Sequence, residues 1–192
     1  MNPQRNPQKS RQAGYSLAEM LTVIAIIGTL ALVTVPQFMN YYNSNKVKTS
    51  MRSFTTDLRT ARMTSISRGH EVKLSFRTGV RARGYTLYEG NRSLGTVTVW
   101  TPLTGAGSNP PKPAKTLDDV IYFPAANAAT PQTFIDEDSP NDSTLDIIFF
   151  PDGHVRMPPN LTVGTVTIKT DRKVPKPQYT IEISPSGRVQ AR

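Results

Sequence analysis

The stretch Gly14-Tyr15-Ser16-Leu17-Ala18-Glu19, with the apolar run 20–35 behind it, organises this 192-residue chain. The preceding leader carries three basic residues and no acidic residue. The run itself has sixteen residues without a charge, and Glu19 lies just before it. Because an isolated ionised carboxylate is costly inside a membrane, Glu19 is expected to need a functional partner.

This junction differs from an ordinary secretory signal, in which a small-residue cleavage site follows the apolar region. Here the apolar run is followed by Pro36-Gln37-Phe38-Met39, and the small residue, Gly14, precedes the run. Cleavage after Gly14 would remove the basic leader and leave the apolar helix on the mature chain. That chain would begin with a free amine at Tyr15, four residues from Glu19.

At these residues the chain resembles the type IV prepilin family. The family signature is a basic leader ending in Gly, usually followed by Phe, a small hydroxyl residue, Leu, any residue and Glu. The matching residues are Gly14, Ser16, Leu17 and Glu19, whereas Tyr15 stands where Phe is usual. The resemblance implies a leader 1–14 removed by a prepilin peptidase, and methylation of the new amine at Tyr15. It also implies that Gly28 and Pro36 soften the helix through which the subunit assembles with other pilins.

A long helix is predicted over 15–69, with a membrane-spanning part at about 17–36. Nineteen residues from Leu17 to Val35 would span about 28 Å as a helix, and Pro36 is expected to kink it. Beyond the membrane, one apolar face is predicted to pack on a sheet from the same chain. Its members are Val47, Met51, Phe54, Leu58 and Ala61. The helix is expected to end at Arg68-Gly69.

A β-rich domain is predicted over 70–192, which makes the fold α+β. Alternating apolar residues and turn signals indicate antiparallel strands. The predicted strands are 72–76, 85–89, 96–100, a short one near 120–123, 145–150, 163–169 and, last, 179–183. Residues 101–144 are interpreted as a long loop with an acidic cluster at 136–138, more typical of solvated chain than of a calcium site.

Composition excludes several kinds of chemistry. The chain has no cysteine, and two histidines, His70 and His154, are too few for a histidine-rich metal site. Neither a nucleophile-elbow serine nor a phosphate-binding glycine loop occurs in the sequence. The sequence therefore predicts a protein that is not an enzyme and that holds neither a cofactor nor a metal.

Charge is distributed unevenly along the chain. The net charge of +9 becomes +6 when the three basic residues of the leader are removed. Residues 46–92 carry eleven basic against three acidic residues, residues 93–152 two against eight, and residues 153–192 seven against two. A basic excess favours anionic partners such as nucleic acid or phospholipid, although it is also an ordinary means of solubility.

The body of the chain resembles the GspH/FimT-type minor pilins and pseudopilins. The resemblance rests on three segments, 62–69, 149–153 and 183–189. It implies a single-pass protein of the bacterial inner membrane with a periplasmic domain, assembled into a type IV pilus or a type II secretion pseudopilus. Two alternatives stay open, a DNA-binding pilin used in DNA uptake and a solitary membrane-anchored adhesin.

The DNA alternative comes from the C-terminal tail. Some FimT-type pilins bind DNA through a basic tail with the pattern Gly-Arg-x-Arg. Here Arg188 matches the first arginine, Gln190 replaces the second, and the next charge is Arg192. Lys173 and Lys176, before the last predicted strand, would extend the basic surface. Contacts to phosphate would be independent of sequence and sensitive to salt.

Overall fold

The structure, a computed structural model, describes residues 15–79, 82–91, 99–103, 115–119, 121–128, 132–134, 143–158, 160–172, 174–175 and 178–192. Gly14 and the rest of the leader therefore lie outside the described residues. The chain divides into two compact units, residues 1–39 and 40–192. One helix, α1, runs from Leu17 to Arg68.

The strands of the described residues belong to the second unit and follow α1. Their bounds are β1 Val72–Arg77, β2 Gly84–Gly90, β3 Trp100–Pro102, β4 Lys115–Thr116, β5 Ile121–Tyr122, β6 Thr144–Phe149, β7 Gly164–Thr170, β8 Gln178–Ile183 and β9 Val189–Ala191. The first sheet has the order β3-β2-β1-β6, with β4 also paired to β2, and the second has the order β5-β7-β8-β9. All pairs are antiparallel. The predicted α+β fold is confirmed, with two sheets instead of one.

The predicted apolar face of α1 is confirmed. Val47, Phe54, Leu58 and Ala61 are fully buried, and Met51 is half-buried against the same core. Phe54 lies in an aromatic cluster whose ring centroids are 4.7–6.4 Å apart, and the other members are Phe76, Tyr85 and Phe123. The helix ends where expected, because Gly69 has a φ of +68° and its N–H donates to Ser65 at 3.0 Å.

The segment 101–144 contributes more to the fold than a solvated loop would. Its described residues include β4 and β5, and β5 confirms the short strand predicted near 120–123. Leu117, Phe123 and Phe134 are buried in the core. The Gln132 amide donates to the Thr167 carbonyl at 2.8 Å and accepts from the Thr167 N–H at 3.1 Å. The acidic cluster 136–138 lies outside the described residues.

Polar contacts hold this segment to the helix. Lys46 donates to Asp118 at 3.0 Å, and this hydrogen bond raises the pKa of Lys46. On the next turns of α1, the buried Asp57 carboxylate accepts from the Tyr85 hydroxyl at 2.6 Å and from Lys115. Burial and the bond to Asp57 raise the pKa of Tyr85 well above its usual value. Asp57 therefore joins α1 to both β2 and β4.

One strand prediction is largely untested and another needs correction. The predicted strand 96–100 falls mostly outside the described residues, and the observed β3 begins at Trp100 and pairs with β2. The strand 179–183 is not the last, because Val189–Ala191 returns to pair with it as β9. A turn at Ser184–Gly187, closed by a 2.8 Å bond from the Gly187 N–H to Ser184, brings the chain back.

We expect Phe54→Ala to destabilise the domain by about 3 to 5 kcal/mol, because it empties the centre of the aromatic cluster. Thermal and denaturant unfolding of a soluble domain beginning near Asn43 would measure the change. Met63→Ala, on the same helix but 70% exposed, is the matched control and should change stability by less than about 0.5 kcal/mol. Equal effects of the two substitutions would contradict the packing described here.

Candidate functional site

The helix begins with its own capping sequence. The Ser16 carbonyl accepts the Met20 N–H at 3.2 Å, so Ser16 is the residue that caps α1. Glu19 is then the third helical residue, which is the spacing of a capping box. A carboxylate in the first turn also favours the positive end of the helix dipole. The backbone bond at Ser16 and the position of Glu19 are therefore typical of a helix start.

Residues 15–42 expose a mostly apolar surface, whose one charged side chain is Glu19. Each of them is solvent-accessible in the isolated subunit, and α1 is long and apolar enough to cross a membrane. Its three threonine hydroxyls are hydrogen-bonded to the helix itself. Thr22, Thr29 and Thr34 donate to the carbonyls of Glu19, Ile26 and Leu30 at 2.8–2.9 Å. Hydroxyls bonded in this way need no water, which suits a helix inside lipid.

Gly28 and Pro36 have no structural role that contacts within the subunit explain. A Cβ added at Gly28 would meet nothing within 4 Å. Pro36 lies inside α1, whose helical assignment continues on both sides of it. Proline nevertheless removes one backbone donor, so the carbonyl four residues earlier loses its helical partner. Both residues therefore lower the stability of the helix locally, at positions where contacts within the subunit do not require them.

Two turns from the C-terminal half of the chain meet beside α1. Gly153 and Gly187 adopt φ values of +83° and +76°, as their turn sequences predict. A Cβ on Gly187 would come within 2.4 Å of the Gly153 carbonyl oxygen and 2.5 Å of Arg62 Nε. Arg62 Nε donates to that same carbonyl at 3.1 Å. The recognisable motifs 149–153 and 183–189 are thus parts of one packed corner.

A groove lies between α1 and the last strand, and we call it the arginine groove. It has a volume of about 480 Å³ and is lined by Arg59, Arg62, Met63, Ile66, Gly187, Arg188, Val189 and Gln190. Arg59 reaches across it and donates to the Val189 carbonyl at 3.4 Å. No acidic side chain is among the described residues that line it. Three guanidinium groups therefore share one concave surface.

The candidate DNA-binding residues are only partly brought together. Arg188 is exposed and lines the arginine groove, whereas Arg192 pairs with Glu182 at 3.1 Å. Lys173 and Lys176 lie outside the described residues. Arg59 and Arg62 were not identified as site residues from the sequence, which placed them only off the apolar face. Their spacing of three, on one side of a helix that ends nearby, was the available signal.

The two histidines make local contacts. His70 Nδ1 lies 3.3 Å from Glu89, and His154 Nδ1 lies 3.1 Å from Asp152. The His154 backbone N–H holds the pKa of Asp152 below its usual value. A group of side chains suited to holding a metal ion does not occur within the part of the chain that the structure describes.

Comparison with known proteins places these features in a family. A family model described as "Type II transport protein GspH" matches residues 50–187, and one for the prokaryotic N-terminal methylation motif matches 9–35. A type IV major fimbrial protein FimA of Dichelobacter nodosus is 35% identical over 130 residues, which cover 65% of this chain and 81% of the relative. Another FimA from that organism is 43% identical over 68 residues, covering 35% of this chain and 43% of the relative.

Solved structures with a similar chain path include the minor pseudopilin EpsH from the type 2 secretion system of Vibrio cholerae. Its TM-score is 0.48 at 16% identity, and the match covers 77% of this chain and 96% of EpsH. The type IV minor pilin FimU of Pseudomonas aeruginosa has a TM-score of 0.47 at 15% identity, with coverage of 79% and 92%.

The methylation motif, the apolar helix and the sheets packed on its later turns together define a membrane-anchored pilin-like subunit. The chain belongs to the GspH family, whose model covers most of the domain. Proteins of this kind are structural subunits, not enzymes. Membership implies assembly with other pilins and processing by a prepilin peptidase.

Gly187→Ala should destabilise the domain more than Gly69→Ala does. Both glycines have a φ near +70°, but an added Cβ is unobstructed at Gly69 and would collide with backbone at Gly187. We expect about 1 to 2 kcal/mol at Gly69 from conformation alone, and about 1 to 3 kcal/mol more at Gly187 from overpacking. Urea unfolding midpoints compare the two variants, and equal costs would contradict the packed corner.

Proposed function

We propose that this chain is made as an inner-membrane precursor, cleaved after Gly14, methylated at Tyr15 and then packed into a filament through the first part of α1. The observation that carries the proposal is the exposed, charge-free helical surface directly behind a glutamate in the first turn. The match to the N-terminal methylation motif covers the proposed cleavage and methylation positions.

Glu19 is proposed to form an ion pair in the filament with the Tyr15 amine, either of a neighbouring subunit or of its own chain. When apolar helices pack together, water is excluded, and an unpaired carboxylate would be costly to bury. An amine brought close in such surroundings would be strongly attracted to it. A subunit would then be added to the filament only in a position in which the Tyr15 amine lies close to a Glu19 carboxylate.

The filament is a type IV pilus or the related pseudopilus of type II secretion. Deleting the gene separates these two, because loss of sheared surface pili indicates the first and loss of secreted folded proteins indicates the second. A solitary adhesin differs from both, since it would stay in the membrane and never enter a filament. Recovery of the cleaved chain in purified filaments supports the proposal, and its complete absence from them would overturn it.

DNA uptake stays an untested alternative. Of its candidate residues, Arg192 is engaged by Glu182, which leaves Arg188 as the exposed arginine of the tail that lies in the groove. A structural subunit needs no further assumption, so we favour it. Binding of an oligonucleotide is one outcome of the groove experiment described below.

Gly14→Val should block cleavage, because a branched side chain at the scissile bond should not fit a site that accepts glycine. The mass of the purified wild-type protein should correspond to a chain that begins at Tyr15 with one added methyl group. The variant should keep all fourteen leader residues. Gly28→Val is the matched control and should be cleaved normally, since a side chain there is unobstructed in the subunit. An intact leader on the wild type would exclude the prepilin assignment.

Glu19→Val should leave cleavage intact and lower incorporation into filaments roughly tenfold or more, the order expected when a buried charge loses its partner. Glu19→Gln separates two explanations, since glutamine keeps the capping sequence and loses the charge. Incorporation is measured as the ratio of filament to membrane protein on immunoblots. If the Gln variant assembles as the wild type does, the ion pair is not required and the glutamate acts only in starting the helix.

A further inference from the structure

We infer that the arginine groove, between α1 and β9, binds the acidic segment 135–138 of a second copy of this chain. The inference rests on the proposed filament role and adds to it a subunit contact outside the membrane. The sequence of the segment, Ile-Asp-Glu-Asp, has one apolar side chain followed by three carboxylates. The groove offers the complementary surface, two exposed apolar side chains and three arginines.

The arginines have unused hydrogen-bonding capacity. Each guanidinium has five N–H donors in a fixed plane. Arg59 donates one hydrogen bond to the Val189 carbonyl, and Arg62 donates one to the Gly153 carbonyl. The Arg188 guanidinium donates to the side-chain oxygen of Gln190. These bonds fix the directions of the guanidinium groups and leave further N–H groups for carboxylates, which arginine binds in bidentate fashion.

The apolar part of the groove is also unusual in its exposure. Met63 is 70% exposed and Ile66 is 49% exposed. Among the described residues after Tyr42, the other exposed large apolar side chains are Val99 at 55% and Leu161 and Val163 at 40%. Two of these five side chains therefore lie in one groove, beside arginines that have no acidic neighbour among the described residues of its lining. Exposed apolar surface rimmed by polar groups is typical of an interaction site.

A peptide fits this surface better than a nucleic acid does. The groove is a concavity of about 480 Å³, within the size range of pockets that bury a small ligand. Phosphate backbones are bound by cations spread along a track, and many contacts are needed for useful affinity. Here three arginines converge, and Arg192, the next arginine of the tail, is paired with Glu182.

A second copy of the chain can supply the acidic segment because the two sides of the proposed contact are different. The groove and the acidic segment are different parts of the same sequence, so each copy can supply its segment to one neighbour and accept the segment of another in its groove. Heterologous contacts of this kind produce open helical assemblies when they do not close into a ring. That outcome is the one a filament subunit requires, and it adds specificity outside the apolar helices.

Cysteine cross-linking tests this contact directly, because the chain has no cysteine of its own. Two differently tagged full-length copies are co-expressed with prepilin peptidase, one carrying Met63→Cys and the other Glu137→Cys. Mild oxidation of the membranes should give a disulfide-linked dimer that contains both tags. Leu161→Cys, exposed but outside the groove, replaces Met63→Cys as the control and should give at least tenfold less dimer.

Charge reversal then tests the arginines. Arg188→Glu in the copy with Met63→Cys should lower the dimer yield at least fivefold, and Asp136→Arg in the other copy should restore it. Arg172→Glu, an exposed arginine outside the groove, is the matched control and should leave the yield unchanged. A dimer that is insensitive to Arg188 would overturn the proposed recognition even if the two copies lie close together.

Two other results would also overturn the inference. A disulfide that forms within one chain carrying both cysteines, but never between copies, would assign the segment to its own groove. Binding of a labelled oligothymidylate that is abolished by Arg188→Glu, without any dimer, would assign the groove to nucleic acid. Leader removal and the effect of Glu19→Val are measured on the same membranes. If they are normal and no dimer forms, the groove contact fails while the proposed filament function stands.

Discussion

Burial of one face of α1, from Val47 to Ser65, is the constraint on which the domain depends. Phe54 contacts three other rings, so the helix position is fixed by aromatic packing as well as by aliphatic burial. Once that face is covered, Asp57 lies between Tyr85 and Lys115 and loses most of its water. A buried carboxylate is stable there only because both donors are present. The segment that carries Lys115 is therefore held by the same face that forms the core.

The far end of this face organises the C-terminal half of the chain. Arg62 donates to the Gly153 carbonyl, and Gly187 lies so close to that carbonyl that only a hydrogen fits in place of a side chain. The two turns consequently need each other, and both need the arginine. β9 follows directly from Gly187, so the position of the last strand, and with it the arginine groove, is set by this corner. The shape of the arginine groove therefore depends on the two glycine turns beside α1.

The parts predictable from sequence were those with a local signal. The helix face, its end at Gly69 and the strand at 72–77 follow from periodicity and a capping glycine. β9 was not predicted, because three residues are too few to show an alternation of apolar and polar side chains. Its pairing with β8 also depends on the tertiary fold. The burial of Phe134 in the core was not predicted, because an isolated apolar residue in a polar stretch does not reveal its partners. The arginine groove was unpredictable for the same reason, since residues from positions 59 and 188 meet only after folding.

The two parts of α1 are shaped by different surroundings. Between residues 15 and 42 each side chain is exposed, the threonine hydroxyls are satisfied by their own helix, and Gly28 has room for a side chain. Apart from Ser16 and Glu19 at the start of the helix, contacts within the described subunit do not account for those residue types, and an apolar exposed helix is suited to lipid. Beyond Val47 the opposite holds, because the subunit's own sheets determine which helix positions are apolar. The exposed pair Met63 and Ile66 departs from that rule. On the later turns of α1 these are the large apolar side chains that the subunit's own sheets leave exposed, which is why we infer that another molecule covers them.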